Sequence, residues 1–262
     1  MIPVRANEFR APTIYNWLVA EGEARVEHVA LVTGGARRVG RALVEALADA
    51  GADVAVHYGT SSKEAEEVAQ AVTRHGRRSV VLGADLADPD QAEGLLGRAE
   101  EALGPIDWLV NSAAIFEPLG LEDTTVEAWD RHFAIILRAP FLLSQTFARS
   151  RAGRRGAIVN ILDWRALRPG ADHFPYTIAK AGLAAMTRSL GVALAPSIRV
   201  NGLALGAILP PSDGDGATAL KGVPAGRWGT LEEVGAALRF LLEGPDYLTG
   251  AIIHIDGGRH LV

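Results

Sequence analysis

The stretch His28-Val-Ala-Leu-Val-Thr33-Gly34-Gly-Ala-Arg37-Arg38-Val39-Gly40 decides the fold. Its first six residues are a short apolar run that ends in glycines, which predicts a buried strand. Arg38 to Ala50 follows, with Val39, Leu43, Val44 and Leu47 at helical spacing and Gly51 as a stop. The glycines let the backbone approach an anion closely. A helix beginning there offers N–H groups and the positive end of its dipole. A tight strand-to-helix turn without a ligand would use the same glycines. The spacing is not G-x-G-x-x-G, so that dinucleotide fingerprint is not met.

The alternation continues outward. Asp53 to Tyr58, Ser79 to Gly83, Ile106 to Asn111, Gly156 to Leu162, Ser197 to Leu203 and Ala251 to Ile255 read as strands. Lys63 to His75, Pro89 to Leu103, Val126 to Ala148 and Phe174 to Leu194 read as helices. Apolar strands separated by helices, with no hairpins, predict a seven-stranded parallel sheet covered on both faces. Such α/β sheets bind ligands beyond the carboxyl ends of their strands, where the strand order reverses. Residues 27–262 form this one domain. Residues 1–26, interrupted by Pro3 and Pro12, read as a loosely docked extension. Residues 207–229, rich in Gly and Pro, are a candidate lid.

The chain has 262 residues, enough to bury roughly three quarters of its unfolded surface without a staple. It has no cysteine, which removes disulfides, thiolate metal sites and a cysteine nucleophile; no metal is expected. The net charge of −5 speaks against an electrostatic nucleic-acid binder. No apolar run reaches ~18 residues, so no membrane span is expected. The N-terminus lacks a signal pattern, which makes the cytoplasm the expected location. Only three of the 26 basic residues are lysines, Lys63, Lys180 and Lys221.

Thr33-Gly34-x-x-x-Arg38-x-Gly40 resembles the T-G-x-x-x-G-x-G loop of short-chain dehydrogenases/reductases, with Arg38 in place of the second glycine. That replacement is similar to the pteridine reductase branch. The resemblance runs from about His28 to Val262. It implies a single doubly wound Rossmann domain, a small-molecule substrate and a homotetramer. Gly34, Arg37, Arg38, Val39 and Gly40 would then cradle a dinucleotide, with Arg38 also reaching the substrate. The resemblance further implies that Asp85 and Leu86 contact adenine. Asn111-Ser112-Ala113 stands where the family has N-N-A and lines the cofactor. The second strand ends in His57-Tyr58-Gly-Thr-Ser61 with no acid before Glu64. Cations and hydroxyls suit a 2′-phosphate, where a carboxylate would repel it, so NADPH is the expected cofactor rather than NADH.

Tyr176-Thr-Ile-Ala-Lys180 places a phenol and an ammonium one helical turn apart on one face. The ammonium is expected to lower the phenol's pKa and make it a usable acid; it can also bond the nicotinamide ribose. Thirteen residues before Tyr176, the family usually has a serine that holds a carbonyl. This chain has Asp163. An ionised carboxylate cannot donate to a ketone oxygen, but it can orient the phenol and accept from pterin N–H groups. Phe116 corresponds to the aromatic that stacks on the pterin in pteridine reductases. Ile136 stands where the family has a catalytic asparagine, and Leu205-Gly206 where it has P-G. These residues together imply NADPH-dependent reduction of a dihydropterin. A generic ketone or 3-oxoacyl thioester reductase is the first alternative. A non-catalytic NADP-binding regulator, favoured by Ile136 and Leu205, is the second.

Overall fold

The structure is a computed structural model that describes residues 28–210 and 220–262. The N-terminal extension and residues 211–219 of the candidate lid lie outside the described residues.

Seven strands form one sheet: β1 (Val29–Thr33), β2 (Asp53–Tyr58), β3 (Ser79–Gly83), β4 (Trp108–Asn111), β5 (Gly156–Asp163), β6 (Ile198–Leu205) and β7 (Ile252–Ile255). Their spatial order is β3-β2-β1-β4-β5-β6-β7, and every pair is parallel. The order reverses between β1 and β4, where Thr33 lies in register with Asn111.

The covering helices are α1 (Arg38–Asp49), α2 (Ser62–Arg74), α3 (Pro89–Leu103), α4 (Val126–Phe133), α5 (Ala139–Arg151), α6 (Phe174–Ala193) and α7 (Leu231–Glu243). Successive strand side chains point to opposite faces. Ala30 and Val32 of β1 accordingly pack with Leu43, Leu47 and Leu238 of α1 and α7. Val29 and Leu31 pack with Leu95, Leu96 and Leu143 of α3 and α5 on the other face.

Two findings depart from the sequence reading. The single helix expected over Val126 to Ala148 is α4, then a π-helical turn over Ala134–Arg138, then α5. A π-turn inserts a residue into the helical ladder, which periodicity alone does not register. Helix α7 was absent from the reading. Its start carries a legible capping box: Thr230 Oγ1 accepts from Glu233 N, while Glu233 Oε2 accepts from Thr230 N.

Candidate active site

Two neighbouring clusters sit at the carboxyl ends of the strands. The first lies at β1, β2 and β4. Gly34 has φ +65°, and a Cβ there would stand 2.8 Å from Ala113 Cα. At Gly40 a Cβ would stand 2.0 Å from Gly34 O. Both positions therefore require glycine. Thr33 Oγ1 accepts from Ser112 N (3.0 Å) and Ala113 N (3.1 Å), which ties the end of β4 to the loop. Thr33 is a positioning residue that sequence reasoning missed. No side chain caps the start of α1, so the helix-start amides of Val39 and Gly40 present their N–H groups without a competing cap. A close backbone cradle opening an uncapped helix fits a dinucleotide phosphate.

His57 is a correction. Its ring is buried and bonded at both nitrogens: Nδ1 accepts from Gly34 N (3.0 Å), so Nε2–H donates to Ala84 O (3.1 Å). Burial lowers its pKa to about 4, so it carries no charge at neutral pH and offers none to a phosphate. Instead it shapes the loop from beneath. Arg37 is exposed and lies 3.7 Å from Glu64 Oε1. Arg38, at φ 51°, donates to Pro210 O at 3.4 Å, in the described start of the candidate lid. Tyr58 closes β2 against Gly83, and Ser61 is the N-cap residue of α2. Asp85 is exposed and its carboxylate accepts from Ala87 N, whereas Leu86 is buried. Asn111 is a second correction. Its buried amide donates to Asn160 Oδ1 (2.8 Å), and Asn160 donates to Thr187 Oγ1 (2.9 Å). That side chain cross-links strands and a helix instead of facing the sheet's edge.

The second cluster brings together Phe116, Asp163, Tyr176 and Lys180. Asp163 ends β5, and Tyr176 and Lys180 lie on one face of α6. Tyr176 Oη donates to Asp163 Oδ2 at 3.1 Å. Lys180 Nζ donates to Ile161 O at 2.5 Å and lies 5.8 Å from the Tyr176 ring centroid. Phe116 meets Tyr176 edge-on at 4.7 Å, and His173 lies flat against Phe116 at 3.9 Å. Half of Phe116 remains exposed.

The expected lowering of the phenol's pKa is overturned. Burial, then the Asp163 charge and hydrogen bond, push Tyr176 well above the usual phenol value. Burial lowers Lys180 to about 8, against the opposing pull of Asp163. The lysine's charge is thus held on Ile161 O and does not dominate the phenol.

Arg165 was missed. Its N–H donates to Asp163 Oδ1 (2.8 Å), and its guanidinium donates to Asp172 Oδ2 (2.8 Å). Asp172 Oδ2 also contacts His173 Nδ1 at 3.1 Å. The Arg165 guanidinium counteracts the rise at Tyr176. It therefore links the acid pair to the Phe116–His173 stack. These contacts depend on how the chain returns from β5 to α6, so no local pattern marks them. Ile136 is fully buried in the π-turn and packs with Tyr176, Ala179 and Leu183. Gly206 lies so close to Asp256 that a Cβ would stand 2.6 Å from its Cα.

A family described as Enoyl-(Acyl carrier protein) reductase matches residues 34–260. A cis-4-hydroxycyclohexanecarboxylate dehydrogenase from Sinomonas cyclohexanicum is 38% identical over 90% of this chain and 98% of its own. A 3-oxoacyl-[acyl-carrier-protein] reductase from Synechocystis is 30% identical over 90% of this chain and 98% of its own. Among solved structures, FolM alternative dihydrofolate reductase 1 from Brucella canis, complexed with NADP, superposes with a TM-score of 0.84. That protein is 38% identical, with 90% of this chain and 95% of its own covered.

Proposed function

The chain belongs to the short-chain dehydrogenase/reductase superfamily, and on that premise we propose that it is an NADPH-dependent reductase of a dihydropterin. The observation that carries the substrate class is the Tyr176–Asp163 hydrogen bond, with the Phe116 ring edge-on against the same tyrosine. The solved FolM relative, named for dihydrofolate reduction and complexed with NADP, supports both halves of the reading.

Gly34, Val39, Gly40, Ser112 and Ala113 would hold the dinucleotide, and Arg37, Arg38 and Ser61 its 2′-phosphate. NADPH held there would provide the hydride for a ring carbon of the C=N bond. Tyr176 supplies the proton to the nitrogen. In the resting site its O–H is committed to Asp163, which holds the proton on oxygen. A pterin N–H donated to Asp163 Oδ2 takes over that acceptor and weakens its hold on the phenol. Arg165 N, on Oδ1, keeps the carboxylate from turning away. The Lys180 ammonium then stabilises the developing phenolate, which is reprotonated from solvent. Phe116 offers its ring as one wall for a flat heterocycle. A ketone needs neither wall nor carboxylate, and gains nothing from an acceptor where it requires a donor.

The same reading places the enzyme in the cytoplasm as a homotetramer. An open depression that sets Phe133, Leu137, Phe141 and Met186 beside the charged Asp130, Arg131 and Arg138 supports self-association; none of the catalytic residues lines it. NADPH oxidation measured with dihydrobiopterin, dihydromonapterin, dihydrofolate and an acetoacetyl thioester tests the assignment. Faster turnover of a dihydropterin supports it. Preference for the thioester replaces it with carbonyl reduction, the activity named for the Synechocystis relative.

A further inference from the structure

The end of β7 carries a cluster that the reductase chemistry does not use. In His254-Ile-Asp256-Gly257-Gly258-Arg-His260, both glycines have positive φ, 63° and 85°. A side chain is strained in that region, so the two glycines allow an abrupt reversal. The reversal brings His260 back over Asp256. Asp256 is buried and fixed: Oδ1 accepts from Gly258 N (3.0 Å) and Oδ2 from His260 N (2.9 Å). The close approach of Gly206 locks its backbone against the end of β6.

Two imidazoles converge on one carboxylate oxygen. His260 Nδ1 lies 2.8 Å from Asp256 Oδ2 and 3.1 Å from Oδ1, and His254 Nδ1 lies 3.6 Å from Oδ2. The last distance is too long for a hydrogen bond. His254 Nδ1 is nonetheless shielded from solvent and has no hydrogen-bond partner among the described residues. The two rings lie 3.8 Å apart with their planes 22° from parallel. All three ligand-type atoms fall within 4.8 Å of one another.

An imidazole nitrogen shielded from solvent and just beyond hydrogen-bond reach of a carboxylate oxygen leaves its polar capacity unused. A cation supplies the missing partner. Nitrogen and oxygen ligands lie about 2.0–2.2 Å from a zinc ion, so tetrahedral geometry sets them about 3.3 Å apart. The distances of 2.8 and 3.6 Å bracket that separation. Two imidazoles and one carboxylate suit a borderline transition metal better than calcium or magnesium, which take all-oxygen shells.

We propose that His254, Asp256 and His260 bind a divalent transition metal of the zinc class, with the fourth position left to water. This departs from the expectation of a metal-free chain, which rested on the missing cysteines. The ion takes no part in hydride or proton transfer. It ties the C-terminal turn to β7, and through that turn to the described end of the candidate lid, where Ala225 N donates to Gly257 O at 3.0 Å.

The test is titration of the full-length, EDTA-treated protein with ZnCl₂ by calorimetry, and with CoCl₂ by visible absorption. Wild type, His254→Ala and His260→Ala are compared, with circular dichroism confirming their fold. One equivalent of zinc should bind to wild type, cobalt should give visible d–d bands, and each variant should bind at least tenfold more weakly. His260→Ala, on the partly exposed turn, decides the matter should His254→Ala not fold. No stoichiometric binding to wild type, or undiminished binding by His260→Ala, overturns the site.

Discussion

The two halves of the sheet's carboxyl edge are built on different physical terms. Around β1 and β2, position is set by the backbone: two glycines that tolerate no Cβ, a threonine hydroxyl that ties two amides, and a neutral histidine under the loop. Around β5 and α6, position is set by charge: a carboxylate, a phenol and an ammonium, with the Arg165 guanidinium 3.7 Å from the same carboxylate. A backbone cradle reads directly from glycine spacing. A charge network does not, because the shift at each group depends on partners that meet only in the folded chain.

The largest expected effect falls in the charged half. Tyr176→Phe removes the proposed proton donor and keeps the ring's packing, so turnover should fall by about 10²–10⁴-fold while NADPH binding is retained. Stopped-flow turnover together with NADPH fluorescence titration separates the two. Near-normal turnover would place the proton donor elsewhere and erase the contrast between the halves.

The backbone half has its own titration. The His57 pKa is about 4 in the fold, below the ordinary value of 6.5. The unfolded chain therefore binds the proton first as pH falls. The stability that His57 contributes is present above about pH 6.5 and is lost progressively down to about pH 4, for about 3 kcal/mol in all. Protonation of Nδ1 also removes the acceptor for Gly34 N. Thermal unfolding from pH 7.5 to 4.5 should show this loss in wild type, with a shallower slope in His57→Asn. Equal slopes would remove His57 as the loop's support.

Much of this was legible beforehand, and the failures share a cause. Strand β3 and helix α3 match the sequence reading residue for residue, because their apolar pattern, Pro89 and the Asp88 cap are all local. The site residues Phe116, Asp163, Tyr176 and Lys180 do meet in space. What was misread lies beyond local pattern. His57 reads as a cofactor contact at a strand end, yet its ring turns inward to Gly34 and Ala84. Lys180 looked like the phenol's activator, yet burial and Asp163 outweigh it. Arg165 and His173 gave no signal, since a loop between β5 and α6 brings them to the site.

Smaller effects sharpen the comparison further. NADPH should bind at least tenfold more tightly than NADH, since a charge-assisted contact from Arg37 or Arg38 contributes about 1.5–3 kcal/mol. Glu64, close to Arg37, tempers that preference, so Glu64→Gln should widen it. Fluorescence titration with both cofactors measures each. The Lys180 ammonium is lost near pH 8, so kcat should decline as pH rises through that value. Phe116→Ala should raise KM for a dihydropterin several-fold with little change in kcat, an aromatic contact being worth about 0.5–1.5 kcal/mol.

The proposed preference for a pterin over a carbonyl rests on Asp163. Steady-state kinetics of wild type and Asp163→Ser, on a dihydropterin and on a 3-oxoacyl thioester, test it most directly. The account predicts that wild type prefers the pterin, and that the serine variant loses pterin turnover while gaining on the thioester. Pterin reduction unchanged in Asp163→Ser, or a wild type that prefers the thioester, would contradict it.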